Sequence, residues 1–564
     1  MVQNKLVQKI NRYLNNHPFI VSMIIFICTF ILFGFIRLYA SGDPLIGDHY
    51  FHLKYADLLR TRGWNVVKHF NFIYSIADDD VDNGRYALNL FQVSLIPFTF
   101  FKDKLLGLQL ADVFQASSFI AIVYYVMRKS RVQYSGVFVL LMLTSSYFVM
   151  RLLIGRAFVL VTALIFVEMY FAIDKKYKAL FATVLLHVLW HQNTYFMPVL
   201  VVGVVETSRY LMINKTYWKN VVAIILAIIL ATAFFPGFPM SLIDWISNIF
   251  EIQSGSISGS MAQSIGGNEL ISKDFMAYFA DNSILLLSFV VGTVGTLFLY
   301  VLQKQESLTL DIRKNMVWVY SLFLFMIVTM LGTITISGRF FDFLFPTVFV
   351  LLGFITTIIM QLQKINIDKL LIKFLKTGFF IFIFAIITNV LIVVYAKSNS
   401  FDYEPTKKVT EWVMKNSEKG DKVFLYNWGV FTNMFFGNNY NRYSMGIEPT
   451  ALKHQDESVY WKYYNIFLYN YYCEKESDCK KELENAKKQF KSLNEEQKKK
   501  AEKYNSRKII EFVKNDFDAN IIISNSDKFS KTIELNPEMI ETTFHVKSDK
   551  FKGGFMEYTV FKLR

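Results

Sequence analysis

Six short segments rich in Lys and Arg punctuate the first 400 residues, and the stretches between them are apolar enough to cross a bilayer. They carry Lys5/Lys9/Arg12, Arg128/Lys129/Arg131, Lys175/Lys176/Lys178, Arg209/Lys215/Lys219, Lys304/Arg313/Lys314 and Lys364/Lys369/Lys373/Lys376. Each segment is net positive, and cytoplasmic loops of membrane proteins carry just such an excess. These six therefore belong on one side, and that side faces the cytoplasm. A span needs roughly 20 apolar residues, fewer where a helix is broken. The pattern predicts about eleven spans, near 18–40, 105–127, 134–150, 157–173, 179–190, 193–208, 220–236, 282–302, 316–336, 340–360 and 377–396.

Composition agrees. The 564 residues are 53% hydrophobic and 17% aromatic, with a mean hydropathy of +0.31, too apolar for a soluble chain of this length. The net charge of +14 does not indicate nucleic acid, because much of the Lys/Arg sits between apolar segments, where topology explains it. The first apolar run follows Lys5, Lys9 and Arg12 and lacks a small-residue cleavage site, so it reads as an uncleaved helix. The expected class is a polytopic α-helical membrane protein of the plasma membrane, with residues 1–17 cytoplasmic, 18–396 transmembrane and 397–564 an extracytoplasmic α/β domain.

The external side receives the loop at 41–104, the turns after Val149 and Ser337, the loop at 237–281 and everything after Lys397. Within the first loop, "YFHLKYADLLRTRGW" has a lopsided apolar face and predicts an interfacial helix. "ALNLFQVSLIPFTFF" is short for a span and predicts a second interfacial or re-entrant piece. The loop at 237–281 is Ser/Gly-rich and reads as mobile. In the tail, "DKVFLYN" and "DANIIISN" read as buried strands, "TTFHV" and "EYTVFKL" as a terminal hairpin, and "KKELENAKKQFKSLNEEQKKKAEKY" as one charged surface helix. Cys473 and Cys479 lie close enough to pair in an oxidising space, while Cys28 lies in the first apolar run.

Several polar residues collect on the external face. Asp48 follows the first span and suits a general base or a cation ligand; it equally suits the N-cap of the helix it precedes. Arg151 and Arg156 sit at the outer end of a span, where guanidinium groups either snorkel to headgroups or bind phosphate. Arg339 and Asp342 repeat the theme at another outer turn, as a functional pair or a structural ion pair. His187, His191, Gln192 and Asn193 mark a break between two short half-spans. The i,i+4 His pair invites a metal, but no third ligand accompanies it, and a polar hinge lining an external cavity is the preferred reading. "DDDVDNGR" at 78–85 reads as a solvated acidic turn.

These residues carry a family resemblance. "GDHYFHLKYADLLRTRG" just after span one resembles the first external loop of the membrane glycosyltransferases of the GT-C class, including the catalytic subunit of oligosaccharyltransferase and the polyprenyl-phosphate-sugar-dependent mannosyltransferases. Asp48, Tyr50, Phe51, His52, Lys54 and Gly63 match the pattern there, and Asn83-Gly84-Arg85 is similar to a later Gly-Arg in the same loop. In the tail, "YNWGVFTNMFFGNNYNRYSMG" stands where that subunit carries a Trp-Trp-Asp-Tyr-Gly motif and a later Asn-Arg; Trp428, Gly429, Asn441 and Arg442 match in kind. The sequence also departs from it. Tyr426-Asn427-Trp428-Gly429 lacks the Trp-Trp-Asp triad that holds an Asn-X-Ser/Thr acceptor, and Arg156-Ala157-Phe158 stands where Asp-Asn-Glu supplies metal carboxylates. Glu269 is a weak stand-in for the family's external-loop Glu.

The resemblance implies transfer of a sugar from a polyprenyl-phosphate or pyrophosphate carrier to an extracytoplasmic glycan, lipid or protein acceptor, without N-glycosylation and without a required cofactor or metal. It implies Asp48 as base, Arg339 with Arg151 and Arg156 on the donor phosphate, and a pocket drawn from His52, Arg85, His191, Asn193, Asp342, Trp428 and Arg442. A lipid-linked glycan flippase would spread polar residues through the membrane depth, and a glycan polymerase would present basic external loops; here the polar residues cluster at one face beside an Asp-rich loop. A mere anchor has no use for so many spans or for intramembrane Arg and His.

Overall fold

Long uninterrupted apolar runs leave the backbone no water to bond, so it closes its hydrogen bonds in helices. The computed structural model describes residues 17–39, 48–63, 90–191, 194–234, 283–305, 310–335, 338–363, 402–444, 456–474 and 479–548 and 557–564, with isolated positions between 377 and 394 and at 452 and 477. The chain forms two units: Met1–Ser41, Ala87–Ser94 and Leu106–Ser398 in the first, and Gly42–Tyr86, Leu95–Leu105 and Asn399–Arg564 in the second.

The first unit is helical: α1 (Pro18–Gly34, continued by a π turn Phe35–Tyr39), α2 (Lys104–Lys129), α3 (Ser135–Met142), α4 (Ser146–Leu152), α5 (Phe158–Ile173), α6 (Tyr177–Trp190), α7 (Phe196–Ile213), α8 (Trp218–Ala233), α9 (Ser283–Gln305), α10 (Leu310–Thr335) and α11 (Phe341–Gln363). Six of these are long and apolar enough to cross a membrane, and α3 with α4, bent by 90°, makes up to seven. The expected count of about eleven is therefore not reached among the described residues, because α5, α6 and α8 run only 16, 14 and 16 residues, short of the roughly 20 a straight span needs. Most of the stretch at 377–396 lies outside the described residues. The bend between α3 and α4 has a local cause: the Ser145 side chain accepts from Phe148 N and caps a fresh helix start. Close packing is set by small residues. A Cβ on Gly295 of α9 would come within 2.9 Å of Ile355 on α11, and one on Gly353 within 2.7 Å of Met127 on α2.

The second unit carries a five-stranded sheet in the order β2-β1-β3-β5-β4, from β1 (Lys422–Leu425), β2 (Arg442–Tyr443), β3 (Ala519–Ser524), β4 (Ile540–Val546) and β5 (Tyr558–Leu563). β1 pairs in parallel with both β2 and β3, and β5 pairs antiparallel with β3 and β4, the hairpin expected at the end of the chain. The apolar runs of β1 and β3 are buried, as strands covered on both faces must be. Helices surround them: α12 (Glu404–Asn416), α13 (Phe431–Gly437), α14 (Glu457–Tyr469), α15 (Lys480–Ser492), α16 (Glu495–Asn515) and α17 (Asp527–Ile533). The single charged helix expected over 480–504 is two helices. The first ends at the extended Leu493, and Asn494 starts the second, its side chain accepting from Gln497 N while the Gln497 side chain accepts from Asn494 N. Cys473 and Cys479 are disulfide-bonded.

The loop helix His49–Arg62 belongs to this second unit and is held by aromatic packing. Tyr50 stacks on Tyr403 at 5.5 Å and meets Phe436 edge-on at 5.1 Å, and Phe51 lies 6.0 Å from Phe435. Gly437 permits the fit, since a Cβ there would lie 2.7 Å from Thr410 Oγ1 and 2.8 Å from the Tyr403 hydroxyl.

Candidate functional site

Asp48 opens the loop helix with its backbone, its carbonyl accepting from His52 N at 2.9 Å. Its carboxylate makes no capping bond, because the residue itself is helical at φ −64° and ψ −15°. The capping role expected of Asp48 is thus absent. His52, one turn on, is half-buried, its ring centroid 5.5 Å from that of Phe51. The helix stops at Gly63, whose φ of +74° suits a residue without Cβ.

Charge on this helix is concentrated at its second half. Asp57 takes Arg60 at 2.7 Å and Lys104 at 3.2 Å, while Arg60 Nε donates to Thr99 Oγ1 at 2.9 Å. Burial pushes the Asp57 carboxyl up, but the hydrogen bonds and charges of Arg60 and Lys104 outweigh it and hold the group below its ordinary value. Lys54 is pushed down, chiefly by burial and further by Lys104 and Arg62, against the opposing pull of Asp57.

In the first unit, Arg151 at the end of α4 grips Asp342 at the start of α11, and its guanidinium lies 4.8 Å above the Phe158 ring. Arg151 is thus a partner of Asp342, and Arg339 is exposed. Arg156 is half-buried just beyond the same turn. A second buried pair stands nearby: Arg37 donates to Asp112 at 2.9 Å and to the Leu153 carbonyl at 3.4 Å.

The polar break between α6 and α7 is tied from within. Glu168 Oε1 lies 2.6 Å from His187 Nδ1, His187 Nε2 lies 3.1 Å from Thr194 Oγ1, and Thr194 Oγ1 donates to the His191 carbonyl at 2.9 Å. His187 is fully buried in this chain, so it does not line an open cavity; His191 is half-buried in extended backbone. Asn193 and Arg85, both expected at the site, lie outside the described residues, as does Glu269. Among the described residues no three His, Cys, Asp or Glu side chains gather as a metal-holding group.

Sequence reasoning missed Arg37–Asp112, Glu168 and the Glu206–Arg209–Asn220 cluster that binds the Ala172 carbonyl. The signal was present: Arg37, Asp112, Glu168, Glu206 and Arg209 are ionisable residues within or at the end of apolar runs, where such groups are costly.

In the second unit Trp428 follows β1 in a 3-10 turn, half-buried, set by the Asn427 side chain accepting from Gly429 N at 2.9 Å. Arg442 begins β2, and the neighbouring Asn441 is fully buried with its amide bonded to Ser417 Oγ and Asn438. Trp428 and Arg442 thus stand at opposite ends of adjacent parallel strands, the first after the carboxyl end of β1 and the second at the start of β2.

No family model matches the sequence, and no curated protein does. Solved structures do match. The crystal structure of the Archaeoglobus fulgidus oligosaccharyltransferase in its apo form superposes with a TM-score of 0.54 over 93% of this chain and 73% of that one, at 11% identity. At that identity the likeness is one of fold, which in this chain joins a helical unit with several apolar helices long enough to cross a membrane to a smaller unit built on a sheet.

Proposed function

We propose that the protein is an integral-membrane glycosyltransferase that moves a sugar from a polyprenyl-phosphate or pyrophosphate carrier to an acceptor outside the cytoplasm. The observation that carries the reading is the fold likeness to an oligosaccharyltransferase over 93% of the chain. The loop motif around Asp48 supports it. In the proposed reaction Asp48 takes the proton of an acceptor hydroxyl as that oxygen bonds to the anomeric carbon and the bond to the carrier phosphate breaks. The leaving phosphate gathers charge and needs a cation in a low-dielectric setting. Exposed Arg339 and half-buried Arg156 suit that role better than Arg151, whose guanidinium already holds Asp342. His52, Trp428 and Arg442 in the second unit, and His191 in the first, are each assigned a substrate contact. The N-terminal side faces the cytoplasm and the sheet unit the exterior of the plasma membrane, as the Lys/Arg-rich turns suggest.

The test is sugar release from radiolabelled polyprenyl-phosphate sugars by purified wild-type and Asp48→Asn protein, with and without a chelator. Release by wild type and loss of two or more orders of magnitude in the variant is the expected result, and the chelator arm reads metal dependence. Lipid-linked glycan bound but not turned over by either protein would favour a flippase or polymerase.

A further inference from the structure

Few large apolar side chains stand open among the described residues of the second unit, and two of them are neighbours: Phe100 is 69% exposed and Phe101 37%. They close the apolar run Leu90–Phe100, which is helical but too short to cross a bilayer. Lys104, just beyond them, is the first residue of α2, which is long and apolar enough to cross one. The chain therefore holds the two rings at the surface of the bilayer that α2 enters. The tip is fixed from behind. The Thr99 hydroxyl donates to the Ile96 carbonyl at 2.7 Å and accepts from Arg60 Nε at 2.9 Å, and Lys104 Nζ donates to the Thr99 carbonyl at 2.6 Å. The Arg60 guanidinium lies 5.0 Å from the centroid of the Phe100 ring. Asp57 bonds both Arg60 and Lys104, so the loop helix His49–Arg62 and the tip are bolted together.

We propose that Phe100 and Phe101 insert into the headgroup layer of the bilayer beside the start of α2, as a wedge that sets the height of the loop helix His49–Arg62 over the membrane. Adjacent open phenyl rings mark a surface that meets something apolar. At a bilayer surface such rings bury in the boundary between headgroups and acyl chains, while Lys and Arg beside them keep their charged ends at the level of the phosphates. Arg60, Arg62, Lys102 and Lys104 stand on the two segments that carry the tip, against Asp57 and Asp103. Because Arg60 and Asp57 belong to the loop helix and Thr99 and Lys104 to the tip, the depth of the rings passes to the helix that Asp48 opens. The wedge goes beyond the proposed transfer reaction and needs no sugar donor.

Nitroxide labels on the full-length protein in lipid nanodiscs test it. Cys473 and Cys479 are bonded to each other, so the free, exposed Cys28 of α1 gives the hydrocarbon reading in the wild type. Phe100→Cys, Thr61→Cys and Tyr504→Cys, each in a Cys28→Ser background, report the tip, the exposed end of the loop helix and, on the charged helix α16, water. Accessibility to oxygen against a nickel chelate reads depth. The Phe100 label should lie about 5–10 Å inside the headgroup boundary. Phe100→Ser with Phe101→Ser should shift the Thr61 label outward, toward the Tyr504 reading, whereas Phe100→Leu with Phe101→Leu should leave it in place. A Phe100 label as open to nickel as the Tyr504 label, a Thr61 label that stays put in the serine variant, or one that moves equally in the leucine variant would each overturn the assignment. None of these readouts depends on sugar transfer.

Discussion

Arg151 binds both carboxylate oxygens of Asp342, Nε to Oδ1 at 3.0 Å and the second guanidinium nitrogen to Oδ2 at 2.6 Å, with each side chain about 95% buried. The two residues are 191 positions apart, so this contact fastens the bent α3–α4 pair to α11. Arg supplies the planar fork that a bidentate grip needs, which Lys cannot reproduce.

Breaking this pair from one side leaves an uncompensated buried charge. Arg151→Met or Asp342→Leu alone should each cost about 3–5 kcal/mol, while the double variant should recover most of that loss. Thermal unfolding of the four proteins in one detergent reads the cycle. A double variant as unstable as the worse single variant would mean the pair is held for something other than neutralising charge.

Much of the membrane unit was legible because helices announce themselves by apolar length. Ten of the expected segments fall on α1 to α11, and the break at His191 falls between α6 and α7 as the polar run there suggested. The number of spans was not legible. Hydropathy counts apolar residues, and only the backbone shows that α3 and α4 share one apolar stretch across a 90° bend at Ser145. The split at Asn494 was readable in retrospect, because Asn followed by Gln three residues on is a helix-start signature that a charged background hid.

Gly437 gives a sharper test of the second unit. Its Cβ position is occupied by Thr410 Oγ1 at 2.7 Å and the Tyr403 hydroxyl at 2.8 Å, and Tyr403 is the ring on which Tyr50 stacks. Gly437→Ala must push Tyr403 outward and should destabilise by about 1–3 kcal/mol. Tyr403→Phe in the Gly437→Ala background removes one obstructing oxygen and should recover part of the loss. Chemical denaturation followed by near-ultraviolet dichroism of the aromatic cluster would show it.

The partners of the candidate residues were less legible than their positions. Arg339 and Asp342 are near neighbours in sequence, yet Asp342 faces Arg151, because the start of α11 meets the end of α4 there. Nor does any local pattern reveal that Tyr50 of the first loop stacks on Tyr403 near the start of the tail, since the two are separated by the whole membrane unit in sequence. Charge and hydropathy patterns carry no information about which distant surfaces meet.

Lys54 and Asp57 give opposite pH signatures. Lys54 is pushed below its ordinary value, so its charged form is disfavoured by folding at neutral pH. That penalty is complete below the folded pKa and vanishes as pH rises through it toward the unfolded value of about 10.4. Lys54→Met should therefore stabilise the protein at pH 7, with the gain shrinking as pH rises. Asp57 is held below its ordinary value, so its stabilisation is present above about pH 4 and is lost as pH falls through the folded pKa. Asp57→Asn should lower stability at pH 7 and flatten the acid limb of the profile. Denaturation midpoints from pH 3 to 10 separate the two; parallel profiles for wild type and either variant would contradict the assignment.

The break at His191 depends on a proton order that can be tested directly. Thr194 has one hydroxyl proton and gives it to the His191 carbonyl, so Thr194 Oγ1 must accept from His187, and Nε2 must carry a proton. Nδ1 lies 2.6 Å from Glu168 Oε1, the ring's other partner. Thr194→Val keeps the shape but strands the Nε2 proton and the His191 carbonyl in a site with little water, at an expected loss of about 1–3 kcal/mol for each buried group left unpaired. Thr194→Ser keeps both bonds and should stay within about 1 kcal/mol of wild type. Because the chain of bonds ends on His191, Thr194→Val should also reduce sugar transfer more than Thr194→Ser when both are assayed below their unfolding temperatures. If the two variants transfer equally while differing in stability, Thr194 holds the fold of the break but does not position His191.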